Sequence, residues 1–237
     1  MSAVLEVAVP EQALECTRPR RLEALVSGAG PSLPELPGDW PASGRHVDRL
    51  YLGSEFCERL IPPLDLLRRV VNWAGAHGVA LTLATPIVSD GGLRLLRRVL
   101  RHLPAGSEVV VNDWGVLHLL RRDHPNLRPV AGRGICKAIK DPRLPSATWA
   151  RLYPPSFGST RHAAMLARRG FVGVQLDIAP FARPRDLHVP GLPVAVNVGH
   201  GYVTKGRTCR FGSFGLAPGR KFAPGHAGRF ECHDDVA

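Results

Sequence analysis

The chain has 237 residues, 44% hydrophobic and 22% charged, and a formal net charge of +11. That length suits one large domain with a sizeable core, and no stretch approaches the ~20 apolar residues of a membrane helix. The charge comes mostly from arginine and fits either a solvated basic surface or a polyanionic partner such as RNA.

Residues 3–9, Ala-Val-Leu-Glu-Val-Ala-Val, alternate as a first strand. The first six residues lack the basic region and long apolar core of a signal peptide, so the expected location is the cytoplasm, where thiols stay reduced. Cys16 has no motif around it and reads as an ordinary thiol. The Pro-, Gly- and Ser-rich stretch 27–43 reads as an irregular connection. Residues 1–45 thus form an N-terminal strand and linker, and 46–237 the body of a single domain.

Leu50–Leu52 predicts a buried strand that breaks at Gly53 and delivers Ser54, Glu55 and Cys57 to its far end. Leu64 to Ala74 has helical periodicity, opened by Pro62-Pro63 and closed by Gly75 and Gly78. The next strand is Val79–Ala84. Ser89-Asp90 caps a helix over 93–103, and Glu108–Val111 is a strand ending in Asn112-Asp113. A short helix follows over 116–122, then a strand over 127–130 that ends in Ala-Gly-Arg133-Gly-Ile-Cys136.

The polar stretch 137–158 interrupts this rhythm, and helix 160–169 with strand 172–178 restores it. The link 179–191 is too proline-rich for a good helix, and Leu192–Gly199 contains another strand. Strands and helices alternating about every 25–30 residues predict a parallel α/β architecture. A TIM-barrel-like β/α domain, incomplete or truncated, fits best, with functional residues after the C-terminal strand ends. A doubly wound sheet is second, because the first strand lacks a glycine-rich phosphate loop.

Cys57, Asn112, Asp113, Arg133, Cys136, Asp177 and His200 all follow strand ends, and Cys209 lies a short loop further on. Cys232 can fold back onto the same face. Four thiolates are what a [4Fe–4S] cluster or a structural zinc site requires. His226 and His233 flank Cys232, so Cys209, Cys232 and a histidine form a competing zinc set. Asp113 reads most simply as a helix cap, and Asn112 and Asn197 as strand-end residues. Glu55, Asp177 and His200 are the acid/base candidates. Serine hydrolase, zincin, kinase and dinucleotide motifs are missing.

Taken in order, Tyr51-Leu-Gly-Ser-Glu-Phe-Cys57, Val111-Asn-Asp-Trp-Gly115, Val130-Ala-Gly-Arg-Gly-Ile-Cys136 and Gly199-His-Gly-Tyr with Gly206-Arg-Thr-Cys209 resemble the collagenase-like peptidase family U thirty-two. Within it they are most similar to the UbiU/UbiV-like branch, associated with oxygen-independent hydroxylation in ubiquinone biosynthesis. The resemblance runs from about residue 46 onward. It implies a TIM-barrel-like fold and a [4Fe–4S] cluster held by four cysteines, with prephenate implicated as oxygen donor in that branch. Other members hydroxylate RNA bases. Cys57, Cys209 and Cys232 match family ligand positions. The place near Gly228 where relatives carry another cysteine has none, which leaves as the fourth either Cys136, at a position not usually a family ligand, or a group other than cysteine. The chain ends five residues past Cys232, where relatives continue into further strands, so a related partner subunit would close the barrel.

The function expected is that of an iron–sulfur protein in an oxygen-independent hydroxylation system, working in a hetero-complex on a small-molecule substrate. The alternatives are the family's peptidase activity and an RNA-binding or RNA-hydroxylating protein that uses the basic surface.

Overall fold

The computed structural model describes residues 5–8, 47–141, 143–152, 154–197, 209, 211–222 and 228. Seven strands form one sheet: β1 (Leu5–Ala8), β2 (Val47–Gly53), β3 (Ala80–Ala84), β4 (Glu108–Val111), β5 (Arg128–Ala131), β6 (Gly173–Asp177) and β7 (Val194–Asn197). Five helices lie along the connections: α1 (Leu64–His77), α2 (Asp90–Leu100), α3 (Trp114–Asp123), α4 (Ala147–Leu152) and α5 (Thr160–Arg168). Every pairing is parallel, and spatial order follows chain order from β1 to β7.

That order decides the architecture. Right-handed crossovers that always step the same way put every helix on one face of the sheet. A doubly wound sheet reverses direction and covers both faces; this one never reverses. The protein is therefore an incomplete parallel β/α barrel, and among the described residues β7 and β1 are not joined.

The strands' alternation matches this geometry. Leu52, Leu81, Leu83, Val109, Val111, Val174 and Leu176 pack with Leu67, Leu96, Leu120 and Leu166 of the helices in one core. The opposite face carries Tyr51, Thr82, Val110, Val130 and Gln175, also buried but outside that core. At its lower end Arg49 donates to Thr82 Oγ1 at 2.8 Å and pairs with Glu108 at 3.1 Å. The inner face is thus partly polar, as suits a barrel lumen.

Caps act where the sequence places them. Ser89 Oγ accepts from Gly92 N at 3.2 Å at the start of α2, and α1 ends on Gly78 at φ 66°. The proline-rich link after β6 holds only a short 3₁₀ turn, Pro184–Leu187. One element departs from expectation: the polar stretch 137–158 contains α4, six residues with none buried. Without an apolar face it leaves no periodic trace. The N-terminal strand belongs to the main sheet, paired with β2. The linker 9–46 lies outside the described residues. No helix among the described residues is long and apolar enough to cross a membrane.

Candidate functional site

The site is built at the C-terminal ends of β2, β4, β5 and β6. Gly53 ends β2 at φ 113°, where a Cβ would stand 2.3 Å from the Ala84 carbonyl oxygen. Only glycine turns the chain there. Ser54 Oγ then accepts from the amides of Phe56 (3.0 Å) and Cys57 (3.2 Å), fixing the turn that carries Glu55 and Cys57.

Glu55 is buried and fully engaged. Its Oε1 accepts from Asn112 Nδ2 at 3.0 Å, and its Oε2 accepts from Arg133 Nε at 2.6 Å and also from Arg133 Nη2. Arg133 Nη1 donates to Asp177 Oδ1 at 2.7 Å, and Lys140 Nζ donates to Asp177 Oδ2. Asn112 also donates to the Thr85 carbonyl at 2.9 Å and accepts from Gly134 N at 2.6 Å. Gly132 permits that contact, since a Cβ on it would lie 2.5 Å from Asn112 Oδ1. Phe56 covers the guanidinium with its ring centroid 5.7 Å away.

Among the described residues, two carboxylates and two cations, all nearly excluded from solvent, thus form one network across four strand ends. Burial works against the Arg133 charge, yet the Glu55 and Asp177 carboxylates outweigh it and hold the guanidinium above its ordinary value. Both oxygens of Glu55 and of Asp177 are occupied. Either acts as a proton acceptor only by exchanging one of these bonds for a bond to substrate.

The cysteines divide into two environments. Cys136 belongs to the apolar core, its Sγ 3.9 Å from the Ala131 carbonyl oxygen, and burial pushes its thiol up to about 12. A thiolate ligand there is strongly opposed. Cys57 caps a 3₁₀ turn, Glu58–Leu60. Burial raises its thiol, the backbone amides of Arg59 and Leu60 act the other way, and the neighbouring Cys209 adds to the rise. Cys209 precedes a second 3₁₀ turn, Phe211–Ser213, and its Sγ accepts from Gly212 N at 3.2 Å.

Cys209 thus lies near enough to act on the Cys57 thiol, and the Cys209 sulfur accepts a backbone N–H from its own turn. The Cys57 turn is braced on one side by Glu58, which accepts from Ser89 N (2.7 Å) and Ser89 Oγ (3.0 Å). On the other side Arg59 Nη1 donates to the Gly228 carbonyl, which brings the tail beside the pair.

Cys16, Cys232, His200, His226 and His233 lie outside the described residues. Among the described residues no three His, Cys, Asp or Glu side chains form a metal-holding group. Asp113 caps α3, its Oδ1 accepting from Gly115 N at 2.7 Å and its Oδ2 from Val88 N at 3.4 Å. Asn197 Nδ2 donates to the Leu176 carbonyl at 3.1 Å, the strand-end bond its position suggests.

A shallow cleft, open to solvent, lies beside Asp177, lined by Ile139, Trp149, Phe157, Pro180, Phe181 and Leu187. Phe181 is 52% exposed and sits at φ 63°, a left-handed conformation costly for an aromatic residue. Sequence reading missed this cleft and Lys140. Lys140 lies in the aperiodic stretch, and the cleft's aromatic residues are far apart in the chain.

The fold and site define an incomplete parallel β/α barrel whose strand ends hold a buried charge network, with Cys57 two residues beyond Glu55. Comparison with family models, with curated proteins and with solved structures finds no match to this chain.

Proposed function

We propose that the protein is a metal–thiolate protein that carries an iron–sulfur cluster and serves an oxygen-independent hydroxylation of a small molecule. The observation that carries this reading is the Cys57–Cys209 pair. Two cysteines 152 positions apart come near each other, Cys57 just past the end of β2, and the Cys209 sulfur accepts a backbone N–H. Such donors stabilise thiolate charge and tune clusters held by cysteine. An isolated core thiol has no use for them, as Cys136 illustrates.

Cys57 and Cys209 would hold the group with Cys232, which follows Gly228 by four residues in the chain. The fourth position falls to a group other than Cys136. When bound, a cluster supplies one-electron chemistry. The chain's own residues supply a substrate cleft, with Asp177 on its wall and Arg133 and Lys140 behind that carboxylate. A polar substrate group that displaces an Asp177 oxygen from Arg133 or Lys140 would be bound by the released cation and face the freed base.

Anaerobic purification tests this reading. Wild type should absorb broadly near ~400 nm, as thiolate-bound clusters do. Cys57→Ser and Cys209→Ser should lose that band, while Cys136→Ser keeps it. Zinc without sulfide would reassign the thiols to a structural metal site. Loss of the band in Cys136→Ser, with 57 and 209 dispensable, would overturn the assignment.

A further inference from the structure

A net +6 of the +11 charge lies on four helices. The outward faces of α1, α2, α3 and α5 carry two, three, two and two arginines, nine in all and every one exposed. Opposing them are three aspartates, one each on α1, α2 and α3, and these helices contain neither lysine nor glutamate. Because every crossover steps the same way, the helices share one face, and the arginines form a cationic wall on the side away from the lumen.

Within that wall an open groove runs between α3 and the end of α5. Trp114, His118 and Arg121 follow one another along α3 at helical spacing, and Met165 and Arg169 face them from α5 and its end. Arg122 also lines the groove but is bound to Asp123. Arg121 and Arg169 have no carboxylate within ion-pair distance among the described residues. Trp114 is 48% exposed, yet it is not loose: its ring meets buried Phe171 edge-on, centroids 6.2 Å apart at 71°. A braced, exposed indole among uncompensated guanidinium groups is a stacking platform beside phosphate binders.

We propose that this groove binds single-stranded nucleic acid, with a base stacked on Trp114 and phosphates held by Arg121 and Arg169. The site is independent of the thiol pair, whose Cys57 lies just past the end of β2. A duplex keeps its bases stacked internally and would leave the indole unused. A lipid surface or acidic protein would engage the arginines but would not require an aromatic plane.

Binding of a fluorescein-labelled 12-nucleotide uridine RNA to the full chain, by anisotropy, tests the proposal. The two phosphate-holding arginines predict a log–log salt slope of about −1.4, so raising salt from 50 to 200 mM should weaken binding roughly 7-fold. The Arg121→Gln/Arg169→Gln variant should flatten the slope by about 1.4. Trp114→Ala should weaken binding by about 5- to 100-fold, and Trp114→Phe, which keeps a ring against Phe171, should restore most of it.

The iron content of every variant should equal that of wild type. No binding at 50 mM salt would overturn the proposal. So would a slope unchanged in the double variant, or equal binding by Trp114→Ala and wild type. Phosphatidylglycerol vesicles that bind through the same arginines, with the RNA failing to compete, would assign the wall to a lipid surface instead.

Discussion

Replacing Arg133 with methionine tests the charge network where it is most exposed to failure. Methionine keeps the length and the cover of Phe56 but removes all three donors to carboxylates. The two carboxylates are not left alike. Asp177 keeps its ion pair with Lys140, whereas Glu55 loses its bonds to Arg133 and keeps the neutral amide of Asn112. A buried charge stripped of its partner costs about 3–5 kcal/mol, and that range is the expected loss for Arg133→Met in urea unfolding at pH 7. Glu55→Gln alone should cost less, about 1–3 kcal/mol, because Arg133 retains Asp177. In the double variant neither stranded charge remains, so a coupling of about 2 kcal/mol or more should emerge from the cycle. A loss below about 1 kcal/mol for Arg133→Met, or strict additivity, would show that water reaches the network and that it does not tie the strand ends.

Two further outcomes follow from the same geometry. Cys136 has a folded-state thiol pushed from 9.0 to about 12 by burial, so its stabilising contribution is complete below the unfolded value and is lost as pH rises toward and through 12. The stability gap between wild type and Cys136→Ala should therefore narrow by roughly 1.4 kcal/mol per pH unit above 9, and a gap that stays constant to pH 11 would place the thiol in water. At Gly53, a Cβ would meet the Ala84 carbonyl at 2.3 Å on a backbone with φ 113°, so Gly53→Ala should cost about 3 kcal/mol and displace the Glu55 turn. Unaltered thermal unfolding of that variant would contradict the strand-end geometry.

The sheet was legible because local signals and global packing agree. Leu81 and Leu83, or Val109 to Val111, read as buried strands and are buried strands. Ser89 and Asp113 read as caps and act as caps. Boundaries moved only by a few residues, as when α3 starts at Trp114 rather than at 116. Strand ends pointed to Glu55, Asn112, Arg133 and Asp177, and these four side chains do converge. What periodicity does not encode is how they pair: nothing at Arg133 announces that it bridges residues 78 positions before it and 44 after it. Nor does spacing separate Cys136 from Cys57, since both follow strand ends. One turns back under the sheet's helices, the other stays in a turn lined with amides. Lys140, Trp149 and Phe181 sit in aperiodic loops, where a sequence gives residue types but not directions.

The measurement that bears most directly on the account is iron and acid-labile sulfide per chain in protein purified without oxygen, for wild type beside Cys136→Ser and Cys57→Ser. A [4Fe–4S] cluster on the Cys57–Cys209 site predicts about four of each in wild type and in Cys136→Ser, and little of either in Cys57→Ser. Iron-free, sulfide-free wild-type protein, or full loading of Cys57→Ser, would contradict it.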